Sequence, residues 1–333
     1  MASFIFGIQE LLKQLDIRTY AKGEEKSFRV HASTSGNKSL SLWHDIPLYP
    51  TPDAESHCIC NMVNEIPKFS RKKFEIATNE PGNPIKQDIK KGELREFLKG
   101  DLYFNYGCLP RTWEDPDHEH PDAKAKGDND PLDVCEIGLR RLNVAEVTPV
   151  KILGCLCLID EGEADWKLIA ISIADPWAEH LNDVDDLEQK LPGVIDSIRE
   201  WFRTYKIPDG KPENKFGLDG RCMNAAYAMA IVRETHESWQ NLVTGKKETI
   251  YCEIQSNTDV QHSKSQKVRA TDLPNSSNIV KNLSYPKLSI DDLASVEPFS
   301  PSIKEYMNNK NDNDTYSNIS DMSGHEENKA PSF

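Results

Sequence analysis

The 333-residue chain has little apolar sequence and no long hydrophobic run. Hydrophobic residues make up 38% of the chain, and the mean hydropathy is −0.62. No apolar stretch approaches the roughly 20 residues that a membrane-spanning helix needs, so we expect no association with a membrane. The low hydrophobic content also predicts that a substantial polar segment lies outside the hydrophobic core.

Basic residues are scarce compared with acidic ones. The chain has 40 Lys and Arg residues against 54 Asp and Glu residues, which gives a net charge of −14 and a pI near 5.2. Non-specific binding of nucleic acid requires a basic face. The composition therefore predicts no nucleic-acid partner and suits a soluble protein that concentrates cations.

Cysteines in metal or disulfide spacing are also missing. The eight cysteines include no C-x-x-C pair; Cys58 and Cys60 are C-x-C, as are Cys155 and Cys157. Without such spacing, reduced thiols in an intracellular compartment are the expected state. We therefore expect a cytoplasmic protein, with the mitochondrion as the alternative.

The segment Met1–Ile17 bears on that alternative. It is apolar and compatible with a helix, but a mitochondrial leader would be rich in Arg and poor in acids. The segment contains Glu10 and Asp16 and has no Arg before Arg18. We therefore interpret residues 1–17 as an N-terminal extension that packs against the domain.

Short apolar runs separated by turn residues predict many strands between residues 26 and 175. The runs are Ile59–Ile66, Phe74–Thr78, Asp133–Ile137, Val147–Ile159 and Leu168–Ile173. Apolar residues at helical spacing then predict two helices, Pro192–Tyr205 and Asn224–Leu242. Helices against a β unit indicate an α+β domain over residues 18–255. The polar composition of residues 256–333 predicts a largely disordered tail.

The templates of several enzyme classes are absent. The chain has no P-loop, no H-E-x-x-H motif and no dinucleotide-binding fingerprint. It also lacks the nucleophile elbow of serine hydrolases. The chemistry has to come from other residues.

Carboxylates are concentrated in the segment Gly127–Asp133. Like charges this close stay ionised only if they face water or share cations, and hard divalent cations such as Mg²⁺ prefer carboxylate oxygens. In an extended segment Asp128 and Asp130 point to the same side, and Pro131 favours an extended conformation at Asp130. We therefore expect Asp128, Asp130 and Asp133 to converge at a strand start; a solvated Asp-rich turn is the alternative.

A second acidic segment, Asp160–Lys167, favours the metal site. Asp160 and Asp165 flank a Gly-containing turn after the longest apolar run, which predicts a hairpin tip. Lys167 lies two residues beyond Asp165, on the same face of the outgoing strand. Two divalent cations about 3.5–4 Å apart can clamp the attacking and leaving oxygens of a phosphoryl displacement. The two acidic segments together indicate a multi-metal phosphoryl site.

Side chains that suit phosphate oxygens lie in other segments. Lys73 and Glu75 share one face of a predicted strand, Arg95 follows a turn, and Tyr205 and Lys206 end the first predicted helix. Arg provides a fork for phosphate oxygens, Lys a point charge and Tyr a hydroxyl donor. Each of these residues alone is more often a solvated surface residue. Only the combination indicates anion binding.

These segments resemble those of the soluble inorganic pyrophosphatases of family I, eukaryotic type. The resemblance runs from about Arg18 to Glu253, and its motifs together are highly specific. They are His44–Tyr49, Asn83–Asp88, Trp113–Pro116, Asp128–Val134, Asp160–Lys167 and Tyr205–Asn214.

The resemblance implies a five-stranded OB-like β-barrel with flanking strands and two main helices. It implies hydrolysis of inorganic pyrophosphate to two phosphates by a metal-activated water, with no covalent intermediate and roughly three or four Mg²⁺ ions per site. Mn²⁺ and Zn²⁺ are alternative ions on ligand chemistry. The implied partners are pyrophosphate and a second copy of the chain in a homodimer.

The resemblance also implies roles for individual residues. Asp130 accepts the proton of the nucleophilic water, and the metal ligands are Asp128, Asp133, Asp160, Asp165 and Glu75. The phosphate-contacting and site-lining residues are Lys73, Arg95, Tyr106, Lys167, Tyr205 and Lys206. Glu65 matches a further active-site carboxylate.

The chain departs from the family pattern between Arg95 and Asn105. The segment Glu96–Phe104 is about four residues shorter than the pattern, and the first of two expected tyrosines is missing. Tyr103 is displaced by one residue, and a one-residue slip in a strand turns a side chain to the opposite face. In addition, Lys68–Phe69 replaces the usual Arg-Trp pair near the family's dimer contact.

Three hypotheses follow. The first is an active Mg²⁺-dependent pyrophosphatase, which the complete set of metal carboxylates favours. The second is a catalytically weakened paralogue that acts as a structural or regulatory subunit, which the shortened segment favours. The third is a Ca²⁺-binding or phosphate-sensing module, which would not need Lys73, Arg95 and Lys206 together.

Overall fold

The computed structural model describes residues 17–34 and 39–247, which contain 16 strands and three α-helices. The predicted polar tail, and the predicted N-terminal extension apart from Ile17, lie outside these residues. The helices are α1 (Val184–Lys190), α2 (Val194–Thr204) and α3 (Ala225–Val243). The strands are β1 (Ile17–Lys22), β2 (Arg29–Thr34), β3 (Ser39–Leu40), β4 (Ile59–Ile66), β5 (Phe74–Ile76), β6 (Ile85–Gln87), β7 (Ile89–Lys90), β8 (Glu93–Leu94), β9 (Asn105–Cys108), β10 (Glu119–His120), β11 (Ala125–Lys126), β12 (Asp133–Glu136), β13 (Val147–Asp160), β14 (Glu163–Ser172), β15 (Lys215–Phe216) and β16 (Met223–Asn224).

Five of these strands close into a barrel. Their hydrogen-bonded order is β14, β12, β9, β4 and β13, and β13 pairs back to β14. The pair β12–β14 is parallel, whereas the other four pairs are antiparallel. Closure leaves no unpaired edge in the barrel. The predicted fold class, α+β with a five-stranded OB-like barrel, is confirmed.

The long strand β13 is buried on both faces because each face meets a different helix. Leu156 and Leu158 belong to the apolar cluster that contains Ile198 and other residues of α2. The alternating residues Cys155 and Cys157 belong to the cluster formed with α3. Each fully buried Leu side chain contributes roughly 1.5–3 kcal/mol relative to exposure. This double burial explains why the sequence of β13 is a nearly continuous apolar run.

The two predicted helices are confirmed, with ends shifted by one or two residues: Val194–Thr204 and Ala225–Val243. Helix α3 begins where the Asn224 side chain accepts a hydrogen bond from the Tyr227 N–H at 3.0 Å. Helix α1 was not predicted, since it has seven residues and a single buried one, Leu187, so it shows no apolar period. None of the helices in the described ranges has the length and apolarity to cross a bilayer.

A second sheet carries the remaining site residues. It contains β1, β2, β6 and β5 in that order, with β3 paired to β2. Glu75 lies on its edge strand β5, and Lys73 directly precedes that strand. The hairpin β7–β8 follows β6 and is flanked by Asp88 and Arg95. The sheet therefore brings a group of charged residues to the barrel from outside it.

A buried carboxylate ties the barrel strands together below the site. Glu136 is 1% exposed. Its Oε1 accepts the N–H groups of Gly138 at 2.7 Å and Ser172 at 2.9 Å, and its Oε2 accepts the Asn105 amide at 2.7 Å. The ammonium of Lys68, also buried, donates to the Gly138 carbonyl. The network thereby joins β9, β12 and β14, three of the five barrel strands.

Replacing Glu136 by Ala should lower the free energy of unfolding by about 3–5 kcal/mol, because it leaves the buried donors of Asn105, Gly138 and Ser172 without their acceptor and removes a negative charge near the buried Lys68 ammonium. Urea unfolding followed by tryptophan fluorescence measures this. Glu237→Ala, which removes a carboxylate from the exposed side of α3, is the matched control and should shift stability by less than about 0.5 kcal/mol. Equal effects of the two changes would contradict a structural role for the network.

Candidate active site

The segment Gly127–Asp133 forms a tight turn. Asn129 is left-handed with φ 75°, and the N–H of Asp130 donates to Asp128 Oδ1 at 3.0 Å. Two backbone hydrogen bonds of 2.9 Å join the turn to Glu114. The predicted extended course of the segment is therefore wrong at Asn129, because Asn tolerates this backbone and the Asp128 side chain offers the chain a local partner. Asp128 and Asp130 nevertheless line the same cavity.

The second acidic segment is the turn between β13 and β14. Asp160 pairs with Glu163 in register, and Glu161 and Gly162 between them have φ values of 53° and 99°. Two positive φ values match the twist of a two-residue hairpin turn. The predicted hairpin tip is confirmed. Side chains alternate along β14, so Asp165 and Lys167 lie on the same face of the strand.

Lys167 lies at the centre of the barrel end. Its ammonium donates to the carboxylates of Asp133 and Asp165 and, at 2.8 Å, to the Tyr106 hydroxyl, which itself donates to Asp133. The pairing of Asp133 with Lys167 across β12 and β14 sets this arrangement. Burial opposes the charge on Lys167, but the two carboxylates outweigh it and raise its pKa well above the usual range.

A second cluster joins the end of α2 to the hairpin tip. The Tyr205 hydroxyl donates to Asp160 Oδ2 at 2.8 Å, and the Lys206 ammonium donates to the other oxygen of the same carboxylate. Lys206 also contacts Glu161 at 3.2 Å. Burial, followed by the charge of Asp160, raises the pKa of Tyr205 well above its ordinary value. Tyr205 therefore keeps its proton at neutral pH and remains a donor.

The second sheet and the β7–β8 hairpin supply two more cations. Lys73 and Arg95 both line the cavity. Glu75 accepts a hydrogen bond from Lys73 and does not itself line the cavity. Glu65 is 4% exposed, and its Oε1 accepts the Ile76 N–H at 2.7 Å. These two carboxylates thus lie behind the cavity wall rather than in it.

The predicted site residues converge on one cavity of about 150 Å³. Apart from Glu65 and Glu75, all of them line it. The lining consists of Lys73, Arg95, Phe97, Leu102, Tyr106, Asp128, Asp130, Asp133, Asp160, Asp165, Lys167, Trp201, Phe202, Tyr205 and Lys206.

The shortened segment Glu96–Phe104 forms an apolar part of this wall. Phe97 and Leu102 line the cavity, while Tyr103 does not. Tyr103 is 7% exposed, and its hydroxyl approaches Ser197 of α2. Tyr103 therefore points away from the cavity, and no tyrosine of the segment Glu96–Phe104 lines it.

The crowded carboxylates are poor acids. Asp130 is an exposed residue. The protein around its carboxylate nevertheless displaces water, and this desolvation, followed by the charge of Glu75, raises the pKa of Asp130 to about 7. Burial and neighbouring carboxylates also raise the pKa of Asp128, Asp165 and Glu114 well above their ordinary values. The cations present are too few to balance this set of negative charges.

Glu114 belongs to the site although the sequence patterns did not single it out. One of its oxygens accepts the Trp166 N–H at 3.0 Å, and the other, Oε2, is buried without a hydrogen-bond partner among the described residues. Oxygens of Glu114, Asp128 and Asp165 lie within 4.8 Å of one another. A buried, unpartnered carboxylate oxygen facing two others fits a hard divalent cation. The Trp-Glu-Asp-Pro motif at residues 113–116 was the available signal.

Comparisons with known proteins point to one family. A sequence model described as inorganic pyrophosphatase matches residues 62–240. The inorganic pyrophosphatase of Neurospora crassa is 48% identical over 261 residues, which cover 77% of this chain and 88% of that protein. The inorganic pyrophosphatase of Schizosaccharomyces pombe is 50% identical over 223 residues, covering 66% of this chain and 76% of the relative.

Solved structures give the same result. The inorganic pyrophosphatase of Schistosoma japonicum superposes with a TM-score of 0.72 at 38% identity, covering 82% of this chain and 97% of that one. The type I inorganic pyrophosphatase of Toxoplasma gondii gives a TM-score of 0.64 at 47% identity, with 67% and 98% covered. Sequence, fold and the carboxylate-lined cavity all lead to one conclusion: this chain belongs to the inorganic pyrophosphatase family.

Proposed function

We propose that the chain hydrolyses inorganic pyrophosphate to two phosphates in a Mg²⁺-dependent reaction without a covalent intermediate. The observation that carries this proposal is the composition of the 150 Å³ cavity, where carboxylates suited to divalent cations face Lys, Arg and Tyr side chains suited to phosphate. Membership of the pyrophosphatase family supports the same substrate.

The residues proposed to hold the cations are Asp128, Asp133, Asp160, Asp165 and Glu75, with Glu114 added on its geometry. When bound, roughly three or four Mg²⁺ ions would lower the pKa of water and neutralise phosphate oxygens. Carboxylate ligands favour Mg²⁺, with Mn²⁺ or Zn²⁺ as substitutes. To bind a cation, Glu75 would have to exchange its hydrogen bond with Lys73 for the metal.

Asp130 is the proposed acceptor of the proton from the attacking water. It lines the cavity, and its carboxylate forms no ion pair with a lysine or arginine in the described ranges. A pKa of about 7 makes it a better base than an ordinary Asp. Bound cations would lower this pKa and keep Asp130 ionised at neutral pH.

The proposed phosphate contacts are Lys73, Arg95, Tyr205 and Lys206, with Tyr106 and Lys167 at the metal end. Burial opposes the charge on Lys73, but Glu75 outweighs it and raises the pKa of Lys73, so this cation stays charged. Charge-assisted hydrogen bonds from such groups stabilise the charge that spreads over phosphate oxygens in the transition state. Glu65, behind the wall, is proposed to support Glu75 and its strand.

No observation favours the hypothesis of a weakened paralogue, and Phe97 and Leu102 line the cavity where the segment is expected to be short. The catalytic domain is proposed to span residues 18–255. A homodimer and a cytoplasmic location, with the mitochondrion as the alternative, are proposed from the family resemblance. The unpaired state of all seven cysteines in the described ranges supports a reducing compartment.

Phosphate release from pyrophosphate by the purified full chain, with Mg²⁺ and with a chelator, tests the proposal. We expect rapid release that needs the cation. Truncation after Gln255 should leave kcat unchanged, because every proposed site residue precedes that point. No release from a folded, metal-binding chain would overturn the proposed function, and a large loss on truncation would show that the domain extends further.

Asp130→Asn should lower kcat by about 10²–10⁴-fold, because the amide cannot accept the proton of the attacking water. Steady-state kinetics at saturating Mg²⁺ measures this. Mg²⁺-dependent stabilisation should persist, since Asp130 is not a proposed metal ligand. The exposed Asp196, paired with Arg199 on α2, provides a control: Asp196→Asn should retain full activity. Nearly intact turnover of the Asp130 variant would show that its assigned role is wrong.

The raised pKa of Asp130 predicts how the metal-free protein responds to pH. Between its ordinary value near 3.8 and the folded value of about 7, the folded chain binds more protons than the unfolded chain. Protonation of Asp130 therefore stabilises the folded chain. This contribution to stability is complete below about pH 4 and is lost as the pH rises through 7.

Thermal unfolding with a chelator should show Tm falling by several degrees from pH 5 to pH 7.5. Added Mg²⁺ should remove most of this fall, because cations bind the ionised carboxylates of the folded state. The variant Asp130→Asn should show a shallower fall. A Tm that rises over this range without metal would contradict the assigned carboxylate repulsion.

A further inference from the structure

Three residues at the edge of the site form a closed ring of backbone hydrogen bonds. The N–H of Asp88 donates to the Lys73 carbonyl at 2.8 Å, the N–H of Arg95 donates to the Asp88 carbonyl at 2.8 Å, and the N–H of Lys73 donates to the Arg95 carbonyl at 3.1 Å. The ring joins three segments: the residue before β5, the residue after β6 and the residue after β8. The backbone is therefore fixed at all three residues, and their side chains begin close together.

The side chain of Asp88 links the other two. Its Oδ2 accepts a hydrogen bond from Arg95 Nη1 at 2.9 Å and lies 3.7 Å from the Lys73 ammonium. All three side chains are partly buried, with 18–24% exposed. The Gln87 amide additionally donates to the Arg95 carbonyl at 2.9 Å. One carboxylate thus pairs with both cations that the second sheet and the β7–β8 hairpin contribute to the cavity.

Asp88 itself does not line the cavity, whereas Lys73 and Arg95 do. We propose that Asp88 is a positioning residue that holds Arg95 and Lys73 in the geometry in which they bind the phosphate groups of pyrophosphate. This inference rests on the proposed function, since it assigns Asp88 a part in the same reaction.

The physical argument compares two opposite effects. A negative charge near the cavity repels phosphate, so its removal alone would tighten binding. However, this charge is already compensated by two cations within 3.7 Å. Long side chains such as Arg and Lys lose rotamer freedom when they are fixed, and the contacts with Asp88 impose that cost before substrate arrives. Because misplaced groups lose most of their benefit, we expect the positioning effect to exceed the repulsion.

Asp88→Asn tests this in the full chain, with Asp101→Asn as the matched control. Asp101 forms an ion pair with Arg71 at 2.8 Å and does not line the cavity. For Asp88→Asn, KM for pyrophosphate should rise about tenfold, and so should the Kd of methylenediphosphonate measured with Mg²⁺ by calorimetry. We expect kcat to stay within about threefold and Tm within about 2 °C. The Asp101 variant should match the wild type in all four quantities.

A double-mutant cycle separates positioning from an independent effect. In an Arg95→Ala background, Asp88→Asn should weaken diphosphonate binding by less than about threefold, because its main partner is gone. Asp88→Glu, which keeps the charge, should recover part of the affinity. Unchanged KM and Kd in Asp88→Asn, or a full tenfold loss in the Arg95→Ala background, would overturn the inference. A wild-type chain that binds diphosphonate but releases no phosphate would overturn the proposed function, while the binding comparison would still decide the role of Asp88.

Discussion

The structure depends on one buried ammonium. Lys167 is 2% exposed and lies between the carboxylates of Asp133 and Asp165, with the rings of Tyr106 and Phe202 at 5.3 and 5.2 Å. A buried pair of carboxylates would repel strongly, so the cation between them allows three barrel strands to meet at this end. The register that pairs Asp133 with Lys167 places the charge there. The barrel thus supports the site, and Lys167 in turn keeps its carboxylate end together.

This compensation is incomplete, and the remaining negative charge suits the site to its cations. Asp128, Asp165 and Glu114 have raised pKa values because burial and mutual repulsion oppose their ionised forms. Without metal, such a cluster lowers the stability of the folded chain. It also makes the binding of a divalent cation there more favourable. The protein therefore gives up stability at one end of the barrel and recovers it on binding metal.

Features determined by local sequence were predictable. The hairpin at Asp160–Asp165 and the helix α2 follow from turn residues and apolar spacing, which act within a few residues. Residue spacing did not predict Glu114, because its place beside Asp128 depends on backbone hydrogen bonds to Asn129 and Asp130, which are distant in sequence. The left-handed Asn129 was missed because Pro131 alone suggested an extended chain, while the Asx hydrogen bond favoured the turn.

The segment Glu96–Phe104, which is shorter than the family pattern implies, supports the site through aromatic packing. Phe97 packs edge-on against Trp201 at 5.0 Å and Tyr205 at 5.9 Å, and Trp201 stacks on Tyr205 at 5.1 Å. Aromatic pairs of this geometry contribute about 0.5–1.5 kcal/mol each beyond their burial. The stack fixes the ring whose hydroxyl donates to Asp160. The segment Glu96–Phe104 therefore contributes to the site by packing an aromatic ring against Tyr205, whose hydroxyl supplies the hydrogen bond to Asp160.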